Sequence, residues 1–101
     1  MNIGITSKFC NNFFSNGLNQ NLVLLYDSLK LCGMQPFFLD FTNPEKEKLE
    51  SHKLLEGKKL FNFWDFRESK HDIDMLLCPG VASNKDIQDA VKNNNNNAKI
   101  V

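Results

Sequence analysis

A chain of 101 residues, 42% of them apolar, can hold one domain with a modest core and no more. Its 12 basic and 12 acidic residues cancel, which removes the global field that draws in nucleic acid or an anionic membrane. Three scattered cysteines (Cys10, Cys32 and Cys78), with no C-x-x-C and no histidine beside them, argue against a disulfide framework or a zinc module and for reduced thiols.

The first residues carry no basic region followed by an apolar stretch, so no signal peptide is expected. The longest apolar run, at 22–26, is far too short to span a bilayer. The expected compartment is therefore the cytoplasm, with no transmembrane segment. Asn occurs fourteen times and Ala three times. Eleven of the twelve basic residues are Lys. Lys and Asn share A/T-rich codons, so each Asn carries less chemical meaning than it would elsewhere.

The first strand is expected over 2–6, where Ile3 and Ile5 stand in a short β-branched segment. Residues 7–17 read as a loop, with Phe9, Phe13 and Phe14 tucking part of it against the core. A helix follows, because Leu18, Leu22, Leu25, Leu29 and Cys32 recur at spacings of four and three. Asn16 or Asn19 suits its N-cap, and Gly33 suits a left-handed residue just past its end.

The run at 36–41 predicts the second strand. Asn43, Pro44 and Glu45 then announce a helix over 44–55, stopped by Gly57. The aromatic run at 59–66 reads as the third strand, with Trp64 and its Phe neighbours in the core. A fourth strand over 73–78 is apolar enough to be buried on both faces. Ser83 and Asp86 resemble a capping box, opening a helix over 84–92. The Asn run at 93–97 ends that helix in a surface loop, and 98–101 starts a fifth strand.

Strands alternating with helices imply an α/β fold: a Rossmann-like, doubly wound parallel sheet of about five strands in the order 3-2-1-4-5. Both faces of such a sheet need cover. The last strand has no helix behind it, so 1–101 reads as the N-terminal Rossmann-like domain of a larger two-domain protein, and the sheet as incomplete.

The most informative stretch is S-N-G-L-N-Q-N at 15–21, between the first strand and the first helix. Ligands of open α/β sheets bind beyond the carboxyl ends of the strands, where strand order reverses. The N–H groups of a helix N-terminus there suit a phosphate. Gly17 lets backbone approach closely, and Asn16, Asn19 and Gln20 can hydrogen-bond sugar hydroxyls. The plainer reading is a capped turn in an Asn-rich chain. Gly80 and Val81, after the fourth strand, would form the opposite lip of the same crevice, or simply a strand-to-helix turn. No G-x-G-x-x-G and no G-x-x-x-x-G-K-[ST] occurs, so neither a dinucleotide fingerprint nor a P-loop is present. His71, next to Asp72 and Asp74, reads as surface polarity before a strand, and no metal ligands are expected.

With these residues in view, the chain resembles the N-terminal domain of GT-B-type glycosyltransferases, and more narrowly a poorly characterised bacterial and viral glycosyltransferase-like family. The resemblance rests on Ser15, Asn16, Gly17, Leu18, Asn19, Gln20 and Asn21, which match S-N-G-[IL]-N-Q-N. A more generic similarity lies in Ile73-Asp74-Met75-Leu76-Leu77, Gly80 and Lys99-Ile100-Val101. It implies an acceptor-side domain of an enzyme that transfers sugar from a nucleotide-sugar to a glycan acceptor. A second, C-terminal domain would hold most of the donor. Substrate binding is then expected at Ser15, Asn16, Gly17, Asn19, Gln20, Gly80 and Val81, with catalytic residues unassigned and no cofactor. A front domain without its partner is expected to be inactive alone. The alternative is a non-catalytic Rossmann-like binding or interaction module.

Overall fold

Ile3 and Ile5 alternate with Gly4 and Thr6 along β1 (Asn2–Ser7), and all four are buried. A strand buried on both faces is a central strand, and β1 is that strand. It pairs in parallel with β2 (Gln35–Asp40) on one side and β4 (Met75–Leu77) on the other. The edges are β3 (Leu60–Asn62), parallel to β2, and β5 (Lys99–Ile100), parallel to β4. The computed structural model describes residues 1–7, 17–40, 56–69, 71–78 and 85–101. Within them the sheet is all parallel, in the order β3-β2-β1-β4-β5 expected from the alternation of elements. The helix expected over 44–55 and the loops at 8–16 and 79–84 lie outside the described residues.

The chain leaves β1 toward β2 but leaves β4 toward β5, in opposite directions across the sheet. Right-handed crossovers then put the connecting helices on opposite faces. Helix α1 (Gly17–Leu31) covers one face, where Leu22, Val23 and Tyr26 pack with Ile5 and Phe38. Helices α2 (Phe63–Glu68) and α3 (Lys85–Asn94) cover the other. There Phe63, Phe66, Ala90 and Val91 pack on Phe37, Leu39, Ile73, Leu76 and Ala98.

Helix α1 ends as its sequence foretells. Gly33 has φ 83°. The Gly33 N–H donates to the Lys30 carbonyl and the Met34 N–H to the Leu29 carbonyl, both at 3.1 Å. This paired closure satisfies carbonyls that the last turn leaves open, and it needs a residue tolerant of positive φ. The buried stripe, however, is turned from the one expected. Val23 and Tyr26 are buried beside Leu22, Leu25 and Leu29 are only half-buried, and Cys32 is exposed. Tyr26 decides the turn: its ring stacks on Phe38 and its hydroxyl accepts the Lys59 N–H at 3.0 Å. A tyrosine whose polar tip finds a partner can bury its ring.

Three further expectations need correction. The third strand stops at Asn62, and the rest of the aromatic run forms α2. Phe63 and Phe66 lie three apart, on one helical face, and both are buried. Short apolar runs do not separate strand from helix by pattern alone. The fourth strand is buried on one face only, since Leu76 is covered while Met75 and Leu77 are half-buried. His71 is more than surface polarity: half-buried, its ring lies 4.9 Å from that of Phe37 and 4.6 Å from that of Phe61.

The Asn run is also more than a loop. Helix α3 extends through Asn94, and the Asn95 amide donates to the Ile73 carbonyl at 2.9 Å. Asn95 also accepts the Asn97 N–H, and Lys92 Nζ donates to the Ala98 carbonyl at 2.6 Å. Side chains thus close the end of α3 and tie it to the segment entering β4.

Candidate functional site at the carboxyl edge of the sheet

The order of the strands reverses between β1 and β4. Their carboxyl ends, at Ser7 and Leu77, therefore flank the point where an open α/β sheet offers a crevice. Helix α1 begins at Gly17, after the segment leaving β1. Its first turn holds no acid, so nothing within that turn neutralises the partial positive charge of the helix end.

Of the residues expected to bind substrate, Gly17 is the first residue of α1, and Asn19 and Gln20 belong to its first turn, with Gln20 exposed. Ser15, Asn16, Gly80 and Val81 lie outside the described residues. The flanking residues of both loops are nonetheless joined. The Thr6 hydroxyl donates to the Leu77 carbonyl at 3.2 Å, tying the last turns of β1 and β4 together. The same hydroxyl lies within hydrogen-bonding reach of the Cys78 thiol. Burial pushes the Cys78 thiol above its ordinary range, and the contact with Thr6 works in the opposite direction.

Two polar residues here escaped the sequence reading. Thr6 and Asp40 are fully buried, and both stand at the carboxyl ends of central strands. Asp40 pairs in register with Ser7 on one side and Asn62 on the other, so three polar residues follow one another across β1, β2 and β3. Burying a carboxyl is costly unless hydrogen bonds compensate. An acid in the apolar run P-F-F-L-D-F was the available signal. It went unread because a strand assignment weighs the apolar majority of the run.

On the α1 face beside this point, Leu25, Leu77, Cys78 and Val101 line an open, mostly apolar groove. A polar edge next to an apolar groove suits a ligand with a hydrogen-bonding part and a flat or apolar part. Among the described residues no three of His, Cys, Asp and Glu gather as a metal site requires. No helix among them is long and apolar enough to cross a membrane.

Comparison of the chain with protein-family models, with curated proteins and with solved structures gave no match.

Proposed function

We propose that this Rossmann-like α/β chain acts as the acceptor-side N-terminal domain, or a fragment, of an enzyme that transfers sugar from a nucleotide-sugar. One observation carries the reading: the reversal of strand order between β1 and β4, with α1 starting at Gly17 from the same edge. The S-N-G-L-N-Q-N motif ends in that first turn, where helix N–H groups favour phosphate and amide side chains favour sugar hydroxyls. Buried Asp40 and Thr6 add polar groups along the same edge. In this reading a second domain carries most of the donor, and the glycan acceptor approaches from this one.

Titration of the isotope-labelled chain with uridine and guanosine diphosphate sugars, followed by amide chemical shifts, tests it. Shifts gathered at Thr6, Gly17, Asn19 and Cys78 are expected, and Gly17→Val should abolish them while the chain stays folded. Binding of a nucleotide-sugar without transfer, even when a partner domain is supplied, would leave a non-catalytic binding module. A spectrum left unperturbed at millimolar ligand by nucleotide-sugars and by glycan acceptors alike would end the sugar-transfer reading.

A further inference from the structure

Strands β1 and β4 pair over three residues, and Ile5 with Leu77 is the last pair. Beyond it β1 runs on in register with β2, through Thr6 with Leu39 and Ser7 with Asp40. The two central strands therefore part at Thr6, on the edge where strand order reverses. Successive side chains of a strand point to opposite faces. Ile5 packs with Leu22, Val23 and Tyr26 on the α1 face, so Thr6 stands on the other one. Two residues back along that face, the nearest atoms to a Cβ on Gly4 are all carbon, from Phe37, Ile73 and Leu76. Thr6 brings a hydroxyl into this apolar layer, and at 0% exposure it cannot touch a ligand itself.

A buried hydroxyl bonded to a carbonyl adds little net stability over an apolar group of the same shape, because it gives up its bonds to water. What the bond adds is direction. The Thr6 hydroxyl donates to the Leu77 carbonyl at 3.2 Å and also reaches the Cys78 thiol. Leu77 and Cys78 are consecutive residues at the carboxyl end of β4, and with Leu25 and Val101 they line the apolar groove beside the strand-order reversal. One buried side chain thus grips both residues of that groove wall from the opposite face of the sheet. We propose that Thr6 is the positioning residue of the carboxyl-edge site: through the Leu77 carbonyl and the Cys78 thiol it fixes the groove wall, and with it the affinity of the site for its ligand. The ligand arm of this inference rests on the sugar-transfer reading; the placement of the wall does not. Valine keeps the shape of threonine without its hydroxyl, and serine keeps the hydroxyl without the methyl group. A bonding role and a mere space-filling role at position 6 therefore rank these two variants in opposite order.

The test compares the isotope-labelled whole chain with Thr6→Val and Thr6→Ser. Valine is at home in a buried strand, so Thr6→Val should stay folded. Without ligand, the amide shifts of Leu77 and Cys78 should move in Thr6→Val and stay close to the parent in Thr6→Ser. In titrations with uridine and guanosine diphosphate sugars, Thr6→Val should bind roughly three- to tenfold more weakly, the size of one hydrogen bond. Thr6→Ser should stay within about twofold of the parent, on the same scale. Leu77 and Cys78 amides unmoved in ligand-free Thr6→Val overturn the proposal, whatever the chain binds. A parent chain that binds these sugars no better than Thr6→Val does overturns it too and leaves the sugar-transfer reading standing. Thr6→Ser as weak as Thr6→Val assigns the loss to packing, and the positioning role falls. A parent chain that binds none of the sugars removes the ligand arm of the proposal, a result that belongs to the parent and is distinct from any difference among the variants.

Discussion

Phe37 owes its place to Gly4: a Cβ on Gly4 would stand 3.0 Å from Phe37 Cζ. The two residues are register partners on adjacent strands. The same Cβ would meet Ile73 Cδ1 at 3.0 Å and Leu76 Cδ1 at 3.1 Å, and all three neighbours are buried. The missing side chain is thus filled by a large one across the ladder, and Phe37 in turn stacks on Phe66 of α2 at 5.8 Å between ring centres.

Gly4→Ala should therefore destabilise the chain by about 1–3 kcal/mol, the usual cost of overpacking a core. Ile73→Val removes one of the clashing methyl groups, so the double variant should lose less than the two single losses added together. Urea unfolding of the four proteins measures the coupling, expected at roughly 0.5–3 kcal/mol. Simple additivity would mean that the strand shifts to make room.

The buried stripe of α1 makes a second prediction. Leu22 is 2% exposed and Cys32 is exposed. Leu22→Ala should cost ~2–5 kcal/mol, whereas Cys32→Ser should change stability by less than about 0.5 kcal/mol. Tyr26→Phe keeps the stack on Phe38 but removes the acceptor of the Lys59 N–H. A loss of about 0.5–1.5 kcal/mol is expected. Thermal melts that rank Cys32→Ser with Leu22→Ala would restore the stripe centred on Leu25.

Acid should loosen the packing around His71. Burial among Phe37, Phe61 and Phe66 lowers its pKa first, nearby Lys59 lowers it further, and Asp72 partly opposes both. The folded state thus prefers the neutral ring, while the unfolded chain titrates near 6.5. The stabilisation is complete above that value and is lost as pH falls below it through the folded-state pKa. Urea midpoints should decline over that interval, and His71→Phe should flatten this part of the profile. An equal decline in the variant would place the acid sensitivity elsewhere.

The two described cysteines should differ in reactivity. Cys32 is exposed, whereas Cys78 is half-buried with its thiol pKa raised by burial. Iodoacetamide near neutral pH should modify Cys32 well before Cys78. Thr6→Val removes the hydroxyl that reaches both Leu77 and Cys78, and should slow Cys78 further. Equal rates in the native chain, read by mass spectrometry of digested peptides, would count against the closed edge between β1 and β4.

The chain sequence by itself determined the elements governed by local chemistry and the order in which they pair. Gly33 ends α1 because positive φ is cheap only without a Cβ, and that is legible without a fold. Strands separated by helices force parallel pairing, and right-handed crossovers leave few arrangements, so β3-β2-β1-β4-β5 was legible too. Of the candidate site, the sequence marked the motif that leads into Gly17 but not the buried polar residues Thr6 and Asp40.

Tertiary structure decided what depends on distant partners. Phe63 and Phe66 became helical because Phe37 and Leu39 offered a surface for one helix face. Tyr26 turned inward because Phe38 and the Lys59 N–H, remote in sequence, met its ring and its hydroxyl. His71 packs part of its ring against phenylalanines drawn from β2, β3 and α2 while staying half-buried. Asp40 acquired a place beside Ser7 and Asn62 only when three strands came into register. In each case the local pattern allowed two environments, and the free energy that chose between them came from contacts the chain makes only once folded.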